Sequence, residues 1–229
     1  MDSLSFDLAA TPLRDLNRFL HQDAVTQGIK QVTVLHPDGA HNIAVGLSAP
    51  VAVDIEGHAG YYAAGMLKHG IVTIHGNAGT GVAENMMSGK VHVKGFASVS
   101  AGASAHGGLL VVDGDTSLRC GISLKGGDIV VGGSVGSFSG FMAQAGRMVI
   151  CGNAGDALGD SLYEAVIYVR GTIKSLGADA RIEDMTESDY QAVGELLAAA
   201  GYTYDAHEFK RVASAKSLYH WNADANQEY

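Results

Sequence analysis

The chain is 229 residues long and 47% apolar, with 31 Gly, only 3 Pro and a formal net charge of −9. That apolar content is ample for a buried core, while the acidic balance excludes a binder that holds nucleic acid through a basic patch. No run of about 18 apolar residues occurs, so no membrane span is expected. The acidic opening from Met1 to Asp7 does not read as a signal peptide, and Cys120 and Cys151 read as reduced thiols of a cytoplasmic protein.

Residues 1–50 read as an entry module. Thr11 is placed to cap a short helix with Pro12 in its first position, and Leu13, Leu16 and Leu20 share one face of it. Arg14 and Arg18 stand one helical turn apart on the same helix. Two alternating strands are predicted next, over 31–35 and 41–47, joined by the turn residues Pro37, Asp38 and Gly39.

From 51 to 177 the sequence repeats. Gly57, Gly76, Gly95, Gly114, Gly133, Gly152 and Gly171 recur at an interval of 19 residues, a period that identifies a solenoid. Two residues before each lie Ile55, Ile74, Val93, Val112, Val131, Ile150 and Val169, and four before lie Val53, Val72, Val91, Leu110, Ile129, Met148 and Ile167. Between these columns the side chains vary: Asp54, Thr73, His92, Val111, Val130, Val149, Tyr168. Such alternation gives each unit a strand with one buried face. One unit cannot bury that face alone, so the coils must stack. At about 3.3 Å per residue a coil has a perimeter of roughly 60 Å, room for three short faces. The fold expected is an all-β solenoid, a right-handed parallel β-helix with 19-residue coils, its hand following the preference of parallel crossovers. Further glycine columns, one from Gly70 to Gly146 and one reading Ala64, Ala83, Gly102, Gly121, Gly140 and Gly159, mark sharp turns.

Residues 178–229 read as a capping helix and an aromatic docking tail. Thr186 to Ala200 is amphipathic, with Tyr190, Val193, Leu197 and Ala200 on one side and Gly201 as terminator. Short α-helical elements at both termini are expected to cover the open ends of the solenoid. Beyond them Tyr202, Tyr204, Phe209, Tyr219, Trp221 and Tyr229 follow no period. Aromatic and Arg side chains make interface anchors, so Arg14, Arg18, Phe209, Arg211, Tyr219 and Trp221 form the candidate partner interface. Packing of the tail on its own solenoid is the other reading, and both stay open.

Candidate chemistry is sparse. Gly76 to Gly81 and Gly152 to Gly155 invite a phosphate-loop reading, but a dinucleotide site needs a following helix and here another coil follows. Asn77, Asp115, Ser134 and Asn153, each one residue after a repeat glycine, suit turns and a hydrogen-bonded ladder. The outward series Glu56, His75, Lys94, Asp113 reads as a mixed-charge ladder, continuing through Gly132, Cys151 and Arg170. His75 and His92 lack a third metal ligand, and His58 and His69 are candidate partner contacts. No serine sits in a nucleophile-elbow context. No catalytic, cofactor-binding or metal-ligating residue is assigned.

These residues do resemble a family. Gly76-Asn77-Ala78-Gly79-Thr80-Gly81 and Gly152-Asn153-Ala154-Gly155-Asp156 look like the GXGXG domain, together with the strand entries Ser88 to Val91 and Gly126 to Val131. That domain ends the large subunit of glutamate synthase and also occurs within formylmethanofuran dehydrogenase, as one of its subunits. The stretch Arg14 to His21 resembles the glutamate synthase branch. Phe209 to Tyr219 resembles free-standing third-domain subunits of split glutamate synthase-like complexes, such as N-methylglutamate synthase and its Rhizobium-type relatives. Ser98 and Ser117 depart from the pattern where a turn glycine is usual.

The resemblance implies a non-catalytic spacer in a hetero-oligomer. One partner would be a class II glutamine amidotransferase-like subunit, the other an FMN-binding synthase-like subunit with an iron–sulfur cluster. This chain begins Met1, Asp2 rather than with the amidotransferase's N-terminal Cys, and its two Cys are too few for a cluster. The implied overall reaction converts methylamine and glutamate to N-methylglutamate and ammonia. The alternatives are the equivalent formylmethanofuran dehydrogenase subunit and a self-assembling β-helix filament.

Overall fold

Three elements open the chain in the computed structural model, which describes residues 2–216: β1 (Ser3–Asp7), α1 (Leu13–Gln22) and β2 (Gln31–Leu35). Tyr219, Trp221 and Tyr229 lie outside the described residues. β1 and β2 pair in parallel, Leu4 opposite Val32 and Phe6 opposite Val34, so α1 is the crossover between them. Its Leu16, Phe19 and Leu20 are buried in the main core, and Phe19 meets Phe6 with ring centres 5.1 Å apart. Thr11 does not cap this helix. Pro12 occupies the capping position without a side-chain bond, and the Thr11 N–H is turned away to donate to the Asp7 carbonyl at 2.8 Å.

The predicted second strand at 41–47 does not form. β2 pairs directly and in parallel with β3 (Ala52–Ile55), Val32 opposite Val53, while Asn42 and Ala44 take left-handed φ values of 61° and 56°. Pro37 to Gly39 is therefore a corner of a coil and not a hairpin turn, so coiling already operates upstream of residue 51.

β4 (Ile71–Ile74), β5 (Lys90–Val93), β6 (Leu109–Val112), β7 (Lys125–Val131), β8 (Ala145–Ile150) and β9 (Val166–Val169) then stack in register on β3. Val53, Val72, Val91, Leu110, Ile129, Met148 and Ile167 form one inward column, each opposite the next across a parallel pair, and all are at most 1% exposed.

This side of each coil is a strand of several residues; the other two sides are not. A second side is a ladder of single bridges through Ala59, Ala78, Ala97, Thr116, Val135, Ala154 and Ile173. The third is built of left-handed residues. Ala83, Gly102 and Gly121 donate their N–H to the preceding coil, at Ala63, Val82 and Ala101 (2.8–3.0 Å), whereas Asn85 and Ser104 donate to the following coil, at Ala103 and Ile122 (2.8 and 2.9 Å). Alternating handedness turns successive peptide groups up and down, which satisfies backbone donors and acceptors without a strand. A left-handed non-glycine residue costs about 1–2 kcal/mol, and the inter-coil hydrogen bonds offset it. In place of the three strand faces that the coil perimeter allows, the turn glycines mark this left-handed side.

The repeat glycines serve another end. Among them only Gly57 has a left-handed-side φ, at 141°; the others are needed because neighbouring coils touch there. A Cβ at Gly152 would stand 2.6 Å from the carbonyl carbon and oxygen of Gly133, closer than real side chains come.

β10 (Ala180–Glu183), α2 (Glu187–Ala200) and β11 (Lys210–Ser214) complete the described chain. Thr186 and Asp189 form a capping box at the start of α2, and Gly201 closes it at φ 87°. β11 adds antiparallel to β9, Val212 opposite Ile167, and β10 adds antiparallel to β11, so a strand pair covers this end of the sheet. α2 does not cap the end; it lies on the outer face. Val193, Leu196, Leu197 and Ala200 pack with Phe209 against Val111, Val130, Val149, Cys151 and Tyr168, so the later strands are buried on both faces. No helix among the described residues is long and apolar enough to cross a membrane.

Candidate partner interface

Side chains beside the repeat glycines knit the coils together. The Asn77 Oδ1 accepts the Phe96 N–H at 2.9 Å, Asp115 Oδ1 that of Ser134 at 2.7 Å, Ser134 Oγ that of Asn153 at 3.0 Å, and Asn153 Oδ1 that of Thr172 at 2.9 Å. The ladder expected of Asn77, Asp115, Ser134 and Asn153 is thus present, interrupted where Phe96 offers no acceptor. His58 belongs to it: its Nδ1 accepts the Asn77 N–H at 2.9 Å, a structural use that its exposed position does not signal. At the first coil, the Asn17 amide on α1 donates to the Asn42 carbonyl and accepts the Ala44 N–H, at 2.9 and 3.0 Å. Asn17 satisfies backbone groups that a preceding coil would otherwise meet. Sequence reading misses it, because its partners lie 25 and 27 residues away.

The outer charges pair locally. His75 Nε2 lies 3.1 Å from Asp54 and 3.7 Å from Glu56, whereas His92 Nε2 lies 2.7 Å from Asp113 and Lys94 Nζ 3.4 Å from the same carboxylate. His75 and His92 thus serve different carboxylates. Among the described residues no group of three His, Cys, Asp or Glu side chains is placed to hold a metal ion. His69 is exposed at the rim of an open depression with Lys30, Pro50 and Ile71.

Asp113 also accepts the Tyr202 hydroxyl at 2.8 Å. Partial burial disfavours its charge, but hydrogen bonds from His92 and Tyr202 and the nearby Lys94 outweigh this and hold its carboxyl below the usual range. Asp189 behaves alike: burial opposes ionisation, and bonds from Thr186 and Tyr168 win. The Tyr168 hydroxyl donates to Asp189 Oδ1 at 2.7 Å, and Arg211 reaches the same oxygen at 3.2 Å while pairing with Glu183.

The candidate interface residues fall into two groups at opposite ends. Arg14 and Arg18 are exposed on α1, with Arg18 3.2 Å from Asp15. Phe209 is 4% exposed beneath α2, and Arg211 is engaged with Glu183 and Asp189, so both are occupied within this chain. The apolar surface left at that end is Tyr163, Ile182 and Tyr204, the last beneath the Arg170 guanidinium at 4.3 Å. Tyr219 and Trp221 fall outside the described residues.

Fold and surface together define a capped β-solenoid whose polar side chains mainly bond one coil to the next. The chain is 54% identical over 226 residues to Protein GlxC of Rhizobium meliloti (strain 1021), an alignment covering 97% of this chain and 98% of that protein. It belongs to the GlxC protein family. No protein-family model matches it.

Proposed function

We propose that this chain is the non-catalytic scaffold subunit of a glutamate synthase-like complex, most specifically one forming N-methylglutamate from methylamine and glutamate. The observation that carries the reading is the commitment of chemistry-bearing side chains to the fold. His58, Asn77, Asp115, Ser134 and Asn153 bond successive coils, and His75 and His92 pair with neighbouring carboxylates. What remains is a rod with distinct ends. Nine strand spacings of about 4.8 Å separate β1 from β11, on the order of 40 Å. Such a body is suited to hold an amidotransferase-like subunit and an FMN- and iron–sulfur-bearing synthase-like subunit at a fixed separation. The resemblance of Gly76 to Gly81, Gly152 to Asp156 and Arg14 to His21 to the GXGXG domain supports the same assignment. The departure from the repeat at both ends, through α1 and the antiparallel β10–β11 pair, disfavours the filament reading.

Co-purification from the native organism tests this. The expected result is two companions of those classes and a flavin absorption spectrum in the eluate. A pterin–metal protein as companion would replace the reading with the formylmethanofuran dehydrogenase type.

A further inference from the structure

The corner that joins the left-handed side of each coil to the next strand carries an unbalanced charge. Lys68, Met87, His106 and Lys125 hold the same place in four successive coils. Each donates its backbone N–H to the coil before at 2.8 Å, and all four side chains are exposed. His69, also exposed, stands next to Lys68. The side chains of Lys68, His69, His106 and Lys125 have no hydrogen-bond or ion-pair partner among the described residues.

Other basic groups of the coils are committed. Lys94, Arg147, Arg170 and Lys174 hold carboxylates, and Lys90 donates to the Ala199 carbonyl at 2.7 Å. His58, His75 and His92 have the coil-to-coil and carboxylate bonds described above. Arg119, the remaining Lys or Arg of 51–177, lies away from the corner on the left-handed side. No Asp or Glu occurs in 66–71, 85–90, 104–109 or 123–127, the four stretches that build the corner. In a chain of net charge −9, composition does not produce such a row. Nor does it help the stack, because like charges on neighbouring strands destabilise a ladder. Apolar surface lies alongside it: Ile71 and Met87 are 49% and 45% exposed, and Ile71 lines the open depression shared by Lys30, Pro50 and His69.

We infer that this corner seats a short acidic segment of a companion protein, with its carboxylates on Lys68, His106 and Lys125 and an apolar side chain in the depression by Ile71. The inference rests on the scaffold reading and adds to it the charge of the partner segment. Three coil spacings separate Lys68 from Lys125, about 14 Å, a length that about four extended residues span. Cations strung along that length do not converge on one point, as a small anion requires. A nucleic acid needs a broader basic face, and two copies of this chain, each at −9, repel one another.

The test uses the complex purified through the tagged wild-type chain. A carbodiimide joins a lysine to a carboxylate only where the two are in contact. It is expected to link Lys68 or Lys125 to an Asp or Glu of one companion. Acetylation of both lysines should fall severalfold relative to the free chain. K68Q/K125Q alters only exposed side chains, so its circular dichroism should match the wild type while that companion is released at lower salt. Companions present, with both lysines acetylated as fast as in the free chain, would overturn the inference and leave the scaffold reading standing. No companion in the wild-type preparation would defeat both. Crosslinks only to a second copy of this chain, or protection that disappears on nuclease treatment, would overturn it in favour of a dimer or a nucleic acid.

Discussion

At the scale of single residues, the two kinds of glycine make opposite predictions. Gly152 sits where adjacent coils touch, and its Cβ would meet the Gly133 backbone at 2.6 Å, a contact that rotation of the nearby Ser134 side chain cannot relieve. Gly152→Ala is expected to destabilise the chain by about 2 kcal/mol or more, as overpacking does, read as a drop in the denaturation midpoint. Gly194 lies inside α2 with nothing within 4 Å of its Cβ position. Gly194→Ala should stabilise by about 1 kcal/mol through helix propensity alone. The thiols give a third test. Burial pushes Cys120 up to about 12 and Cys151 up to about 11. At pH 8 both remain protonated, so a thiol-disulfide reagent should label neither until denaturant is added. Labelling in the native state would show that α2 or the coil interior opens readily.

At the scale of elements, the hold of α2 on the sheet should depend on pH. Asp113 and Asp189 both have carboxyls lowered by their hydrogen-bond donors in the fold. A lowered folded value means the contribution is complete above the ordinary carboxylate range, near pH 4, and is lost as pH falls through the folded value. Melting temperature should therefore be flat from neutral pH to about 5 and fall below that. Hydrogen exchange in α2 and β11 should rise before exchange in β4 and β5. Equal loss throughout would contradict this. Leu197→Ala, removing a side chain 1% exposed between helix and sheet, should cost about 2–4 kcal/mol and expose α2 to protease while the coils persist.

The helix itself is legible from Thr186, Asp189 and Gly201. Its placement is also written in the sequence, in the change from Asp54, Thr73 and His92 to Val111, Val130, Val149 and Tyr168 along one column. A switch from polar to apolar on an outward face means that something covers it, although in a list of varying residues it passes for free variation. The strand at 41–47 fails for a different reason. Alternating apolar residues also suit a segment of alternating left- and right-handed turns, and only the pairing of β2 with β3 separates the two. Asn17 and His58 are illegible as structural residues because their bonds run to other coils.

At the scale of the whole molecule, the repeat dictates the architecture because a 19-residue period forces stacking, and the stacked strands follow it pair by pair. The ends are where the chain departs from its own repeat. Arg14 and Arg18 lie at one end, and Tyr163, Ile182 and Tyr204 lie at the other. A scaffold account requires these ends to act separately. The most direct measurement is a parallel pull-down from the native organism with tagged wild type and the charge-reversed R14E/R18E variant, whose substituted side chains are exposed. The account predicts two companion proteins and flavin colour with wild type, and loss of one companion with retention of the other for the variant. A lone, colourless chain from the wild-type preparation would contradict it.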